Sequence, residues 1–400
     1  MVLRRLAVAA LLSGACGLAQ AGFIFTPHLA EYSRLPRGQY TEGTFIYTAI
    51  DEVYDRNGDK QALGSGAIRG GEEVQASLFL LKYLWIGNVF RDSDVWYLKD
   101  HDQFFRVIGT LNHQQATGEV TDLSRRFGMR SGNSGFGDLF VLGGIYGDVH
   151  RWGPLQWNGL FATTVKAPVG DYDERSLLNP GTNYWTVAPQ LALHQNWFGR
   201  LFIDGTISRQ FNSENDDPAY GGLVPSEPAD VETAEINFTW KFSEKWFADL
   251  GLSYRSSVGP NRFENPSINL ADQPTTPDTG CANLGIAPPD CPGAVFFLAP
   301  QPGTYEDRGT RGVLGTLGFY YIYRSSAVLN ARVAVPLSGK GSQIDLPFDV
   351  FAPAVAPDGS LRPGPKISEV MTTVNGVQEA AAVSASPYFE LRFVYLFWAP

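Results

Sequence analysis

The feature that most constrains this chain is the strict alternation of apolar and polar residues in its strand-length segments. In 232–242, Ala234, Ile236, Phe238, Trp240 and Phe242 share one face. Thr233, Glu235, Asn237, Thr239 and Lys241 share the other. A period of two places successive side chains on opposite sides of a β-strand. In 246–255, Trp246, Ala248, Leu250, Leu252 and Tyr254 oppose Asp249, Gly251, Ser253 and Arg255. In 155–167, Leu155, Trp157, Phe161 and Val165 oppose Gln156, Asn158, Thr164 and Lys166. In 200–210, Leu201, Ile203 and Ile207 oppose Arg200, Asp204, Thr206 and Ser208. Near the C-terminus, Phe389, Leu391, Phe393, Tyr395 and Phe397 face away from Glu390 and Arg392.

Extended over the chain, the pattern predicts about 12 strands. They lie near 44–54, 74–86, 94–107, 138–149, 155–167, 184–195, 200–211, 232–242, 246–258, 312–323, 327–337 and 388–398. The connections alternate in length. Short ones fall at 87–93, 150–154, 196–199, 243–245 and 324–326, and the others are long. Outer-membrane barrels pair short periplasmic turns with long external loops in this way. An even strand number returns both termini to the short-turn side. Phe242 and Trp246 flank one short turn on the same apolar face, as Tyr323 and Ala327 flank another.

Alternation alone does not say which face is outside, since a soluble barrel would bury the apolar one. The tryptophans decide it. Trp85, Trp96, Trp152, Trp157, Trp197, Trp240, Trp246 and Trp398 all lie close to a short turn or the C-terminus. Aromatic girdles form where a barrel meets the membrane interface, because indole is apolar with one polar handle. The expected fold is therefore all-β: a transmembrane up-and-down antiparallel barrel with its apolar face toward lipid. Its lumen candidates are Lys166, Glu235, Lys241, Asp249, Arg255, Arg332, Glu390 and Arg392. With both signs present, these residues form either an ion-pair lattice or a solute-selecting constriction. A lumen of about twelve strands lies between side-chain-filled and water-filled barrels.

The N-terminus reads as an export signal. Arg4 and Arg5 precede an apolar run from Leu6 to Leu18, and Ala19-Gln20-Ala21 supplies small residues for cleavage. The expected organisation is a signal over 1–21, a lead-in or plug over 22–43, and an outer-membrane barrel over 44–400. Losing the signal takes the formal net charge from −10 to −12, because it removes two arginines and no acid. So acidic a chain with few clustered bases is a poor nucleic-acid binder. No stretch after Gly22 has the roughly 18 consecutive apolar residues of a spanning helix. Cys281 and Cys291 sit in a Pro/Gly/Asp-rich stretch and form either a loop disulfide or two free thiols. The expected location is the Gram-negative outer membrane. Expected partners are membrane lipid and lipopolysaccharide, the barrel-assembly machinery and a small hydrophobic solute.

The middle of the chain carries four segments in order. Gly135-Phe136-Gly137-Asp138 opens a strand, and Pro168-Val169-Gly170-Asp171-Tyr172 follows. Then come Asn179-Pro180-Gly181-Thr182-Asn183-Tyr184-Trp185 and Pro189-Gln190-Leu191-Ala192-Leu193. Over about 135–258 the chain resembles the bacterial outer-membrane proteins named for the meta-pathway of phenol degradation. The resemblance implies a barrel that passes small hydrophobic, often aromatic, compounds. By their chemistry, Gly170-Asp171 and Pro180-Gly181 are turn dipeptides. Asp138, Asp171 and Asn183 are suited to hold the loop through side-chain-to-backbone hydrogen bonds.

Two other function classes remain as alternatives: a lipid hydrolase embedded in the barrel, and a structural or surface-interaction barrel. A hydrolase needs an oriented His beside a Ser, and His194 with Ser208 is the nearest approach to one. No Gly-x-Ser-x-Gly elbow stands in a strand–turn–helix context, so no enzyme activity is expected. Asp55-Arg56-Asn57-Gly58-Asp59 begins like a calcium loop. It then has Lys60 at the sixth position and Gly66 at the twelfth, so it reads as a turn. No cofactor or metal is expected.

Overall fold

The computed structural model describes residues 32–398 except 33, 63–72, 93, 119–129, 174–175, 177, 218–225, 266–296, 301–302, 308, 325–326, 342–343, 356, 358–360 and 375–383. The segment expected to be an export signal, most of the expected lead-in, and Cys281 and Cys291 lie outside the described residues.

Twelve strands form the barrel wall. They are β1 (Gly38–Ile50), β2 (Glu73–Gly87), β3 (Gln103–Thr117), β4 (Leu139–Tyr146), β5 (Leu155–Ala167) and β6 (Thr186–Trp197). The others are β7 (Leu201–Asn212), β8 (Asp230–Lys241), β9 (Trp246–Val258), β10 (Arg311–Arg324), β11 (Ala327–Lys340) and β12 (Tyr388–Trp398). Each pairs antiparallel with the next in chain order. β12 returns to pair with β1, from Gln39↔Trp398 to Thr48↔Tyr388, and closes the sheet. Closure removes the unpaired edges that a bilayer does not tolerate. Among the described residues no helix is long and apolar enough to cross a membrane.

Inside and outside follow from the alternation. On β8 and β9, Ile236, Phe238, Trp240, Leu250, Leu252 and Tyr254 are exposed, whereas Glu235, Asn237, Thr239, Asp249 and Arg255 are buried. The same parity holds on β12, where Phe389, Leu391 and Phe393 are exposed and Glu390 and Arg392 are buried. A barrel with polar residues packed inside and a greasy exterior is built for lipid. Trp152, Trp157, Trp240 and Trp246 are exposed near the short-turn end, where an interfacial girdle belongs.

Two early strands differ from the sequence reading. The expected 44–54 strand is Gly38–Ile50, and the expected 94–107 strand is Gln103–Thr117, preceded by a helical turn at Trp96–Lys99. The reason is chemical. β1 begins with Gln39, Thr41 and Gly43 facing outward, so its first half shows no apolar alternation. In β3, Phe104 and Phe105 are adjacent, as are Val107 and Ile108, so both faces look greasy.

The short connections set the hairpins. The backbone N–H of Phe242 donates to the Trp246 carbonyl at 3.0 Å and closes the β8–β9 turn. The β6–β7 turn places Phe198 at φ 58° and Gly199 at φ 66°. Two left-handed residues in succession match the right-handed strand twist. On the long-loop side, Glu52–Tyr54 pairs with Lys60–Ala62 around Asp55. There the Asp55 carboxylate accepts the N–H groups of Asn57 at 2.7 Å and Asp59 at 2.9 Å. That arrangement is a turn held by an aspartate. Among the described residues, no His, Cys, Asp and Glu cluster fit to hold a metal is present.

Candidate lumen site

The lumen is layered. Toward the long-loop end, Ile46, Leu78, Leu80, Ile108, Phe140, Leu314, Ala334 and Tyr388 form one buried apolar patch. Each sits at an inward position of its strand. Sequence reasoning missed this patch, because it looked only for polar groups on the inner face. Toward the short-turn end a second cluster gathers Tyr40, Leu84, Ile86, Phe104, Leu142, Tyr146, Leu160, Ala162 and Ala192. Phe140 and Leu142, two positions apart on β4, carry apolar character from one cluster to the other.

Between them on β1, β2 and β3 lie Glu42, Lys82 and Arg106, all buried. Glu42 is the hub of one ion-pair group. Lys82 Nζ lies 2.7 Å from its carboxylate, Arg392 Nη2 lies 2.6 Å away, and the Thr44 hydroxyl donates at 3.0 Å. A second group centres on Arg332. Its Nη2 donates to Asp249 Oδ2 at 2.6 Å and to the Tyr320 hydroxyl at 3.1 Å. Glu390 is the cross-strand register partner of Arg332. With its amide turned so that nitrogen faces Asp249 Oδ2 at 3.1 Å, Asn237 donates to the same carboxylate. Gly318 lies between Arg332 and Asp249 in register, and a Cβ there would come within 2.1 Å of Asp249 Oδ1. The missing side chain is what lets the pair close across β10.

The structure thus brings Asp249, Arg332, Glu390 and Arg392 into one region and adds Glu42 and Lys82, which sequence reasoning missed. The other candidates stand apart. Glu235 accepts from the Ser253 hydroxyl at 3.1 Å, and Arg255 donates to Gln210 at 3.4 Å. Lys241 pairs with Glu244 at 2.7 Å in the β8–β9 turn, at the rim. Lys166 is buried near the long-loop end. Its ammonium sits 3.6 Å from the Tyr184 ring centroid and 3.8 Å from Asp138.

Lys166 lies beneath a roof made by the 168–185 connection. Asp138, buried at the start of β4, accepts the Gly170 N–H at 3.2 Å, the Thr182 N–H at 3.0 Å and the Thr182 hydroxyl at 2.6 Å. Asp171 accepts the Phe136 N–H at 2.7 Å. Asn179 accepts the Asp173 N–H at 2.9 Å, and Asn183 donates to Asn215 at 2.8 Å. Gly137, Gly170 and Gly181 stack backbone on backbone; a Cβ on Gly170 would meet Gly137 and Gly181 at 2.7 and 2.8 Å. Pro168 and Tyr172 lie in the same connection. The roof is tied to the wall where Asn112 on β3 donates to the Pro180 carbonyl at 3.1 Å.

At the opposite mouth, Asp102 is buried between two arginines from the segment before β1. Arg34 and Arg37 each approach its carboxylate to 2.8 Å. The Asn158 side chain donates to the Tyr32 carbonyl at 3.2 Å, and Tyr32 joins the lower apolar cluster. His194 pairs with Asp204 at 2.7 Å inside the wall. Ser208 registers with Gln190, four positions along β6 from His194.

The fold has solved counterparts. The crystal structure of an outer-membrane channel from Pseudomonas putida F1 is similar, with a TM-score of 0.57 and 14% identity, covering 93% of this chain and 100% of that one. Weaker likeness extends to the toluene transporter TodX of Pseudomonas putida, with a TM-score of 0.32, 11% identity and coverage of 93% and 95%. The translocator domain of the autotransporter NalP from Neisseria meningitidis gives 0.35 and 8%, with coverage of 92% and 91%. No curated protein matches by sequence. The sequence profile of the family described as "Putative MetA-pathway of phenol degradation" matches residues 54–269, more than half of the chain, and the chain belongs to that family.

Proposed function

We propose that this barrel is a passive outer-membrane channel for small hydrophobic or aromatic compounds. The observation that carries the reading is the apolar patch of Ile46, Leu78, Leu80, Ile108 and Phe140 on the inner face of the wall. A general aqueous pore has a polar, water-filled interior. These side chains pack against one another, and wherever that packing opens they give an apolar solute a place to leave water, at about 25 cal/mol per Å² buried. The similarity to an outer-membrane channel supports the same reading.

The charged groups act here as a lattice that braces the wall and narrows the path. Glu42 pairs with Lys82 and Arg392, and Asp249 with Arg332; with Glu390 opposite Arg332 these are three anions and three cations, so little net field remains to attract a free ion. We read the protein as a non-enzyme. Asp204 orients His194, but Ser208 registers with Gln190, four positions along the strand, and lies out of reach of the imidazole. Residues 1–21 are the export signal and the residues from 22 up to β1 the lead-in, whose Arg34 and Arg37 lie at the periplasmic mouth; the barrel begins at Gly38, earlier than the expected residue 44. Lipopolysaccharide and the assembly machinery are its partners by location.

The test is toluene influx into vesicles with a lipopolysaccharide outer leaflet, whose sugar layer slows apolar solutes. The channel is expected to raise the rate above that of protein-free vesicles. Equal rates end the proposal.

A further inference from the structure

Three short turns repeat one chemical pattern. Arg151-Trp152 stands in the β4–β5 turn, Phe198-Gly199-Arg200 in the β6–β7 turn, and Lys245-Trp246 at the β8–β9 turn. Each sets a base beside an aromatic ring. The turns are neighbours along the wall, and backbone hydrogen bonds tie them together. The Phe198 N–H donates to the Pro154 carbonyl at 3.1 Å, and the Lys241 N–H donates to the Arg200 carbonyl at 2.8 Å. On the far side the Ile322 N–H of β10 donates to the Lys245 carbonyl at 2.9 Å. The arc is therefore presented as one continuous surface. Trp152 and Phe198 are 81% and 72% exposed, and Phe242 and Trp246 are exposed with them. Rings left this open at the short-turn end sit at the level where the bilayer turns polar.

Arg151, Arg200 and Lys245 are exposed beside those rings, and among the described residues none of the three forms an ion pair. The acids of the arc are already engaged. Glu244 holds Lys241 at 2.7 Å, and Asp148 lies 4.0 Å from Arg34 and 3.8 Å from His101. What remains is a positive arc on a chain whose formal net charge is −10. The β2–β3 connection on the same rim is different, exposing Asp92, Asp94 and Asp100 against Arg91 and Lys99. Unpaired bases at headgroup depth attract negatively charged lipid and offer charge-assisted hydrogen bonds to phosphate. Short turns face the periplasm, where the leaflet is built of phospholipid. We propose that the arc of Arg151, Arg200 and Lys245 docks the phosphate headgroups of anionic phospholipids in the periplasmic leaflet. The inference stands on the orientation of the barrel and is independent of what the lumen passes.

The test reconstitutes the barrel in vesicles of acyl-brominated phosphatidylglycerol with plain phosphatidylcholine, and in the reverse pairing. Bromine quenches tryptophans that touch the brominated lipid. A Trp185→Phe background removes the exposed tryptophan at the long-loop end, so that Trp152, Trp157, Trp240 and Trp246 report the short-turn end. One base near an anionic surface is worth about a fivefold preference, and added salt screens it. The background protein should therefore prefer phosphatidylglycerol by about fivefold at low salt and lose that preference at high salt. Adding Arg151→Gln, Arg200→Gln and Lys245→Gln together should bring the ratio close to one. Adding Arg151→Lys and Arg200→Lys instead should keep it, because the charge is kept. Equal quenching by the two lipids in the background protein overturns the inference. So does a preference that survives the glutamine substitutions or high salt, or one that the lysine substitutions abolish.

Discussion

The Arg332–Asp249 pair is the place where a single change in the lumen has the largest calculable consequence. Both side chains are 0% exposed, and they meet at 2.6 Å. Removing one partner of a buried pair strands the other charge, which costs about 3–5 kcal/mol. Arg332→Met should reach the upper part of that range. It strips a cation from Asp249 and also from Glu390, its register partner across β11–β12. Asp249→Leu should fall lower, because Arg332 keeps Tyr320 and Glu390. The double variant removes both charges at once, and its loss should be about 1–2 kcal/mol, well short of the sum, since apolar replacements of a buried pair are often near neutral. Gly318→Ala should imitate the single losses, because its new Cβ would collide with Asp249 Oδ1. The assay is denaturant unfolding from lipid vesicles followed by tryptophan fluorescence, read as a double-mutant cycle. Strictly additive losses, or single losses below about 1 kcal/mol, would refute the claim that this pair is a coupled, water-excluded unit.

Asp138→Ala removes the acceptor of three hydrogen bonds from Gly170 and Thr182, each charge-assisted bond being worth about 1.5–3 kcal/mol. Limited proteolysis of intact vesicles should then cut within 168–185, and barrel unfolding should shift as well, because the buried Lys166 ammonium loses the carboxylate 3.8 Å away. Leu250→Arg sets a charge on the outer face at a residue 59% exposed, and should destabilise the barrel by about 2–4 kcal/mol in lipid. A neutral result would mean that this face does not meet hydrocarbon. For the Asp55 turn, slight burial favours the neutral acid, but hydrogen bonds from Asp59, Asn57 and Gly58 outweigh it and hold the carboxyl below its ordinary value. A lowered folded-state value means the contribution is present above the unfolded value and is lost as pH falls through the folded one. Amide exchange at Asn57 and Asp59 should thus stay protected through the ordinary aspartate range near pH ~4 and rise only below it.

The strands were most legible where chemistry separates the two faces. In β8 and β9, Ile236, Phe238, Leu250 and Leu252 face outward while Glu235, Asn237 and Asp249 face inward, and the sequence shows both sets in strict alternation. In β2 and β3 the inner face is itself apolar at Leu78, Leu80 and Ile108. There the contrast between faces fades, which shifts the expected third strand and hides Lys82, while Glu42 is hidden because outward Gln39, Thr41 and Gly43 make the start of β1 read as lead-in. The roof was legible as turn chemistry in Gly170-Asp171 and Pro180-Gly181. Its attachment to β3 through Asn112 and Pro180 was not, because those residues are far apart in sequence.

The most direct test of the account concerns which face of β8 meets lipid. Nitroxide labels placed singly at 235, 236, 237 and 238, in a background with Cys281 and Cys291 replaced by serine, report collisions with oxygen dissolved in the bilayer. Labels at 236 and 238 should show high oxygen accessibility in reconstituted vesicles, and labels at 235 and 237 should show low accessibility. High accessibility at 235 and 237 with protection at 236 and 238 would contradict it.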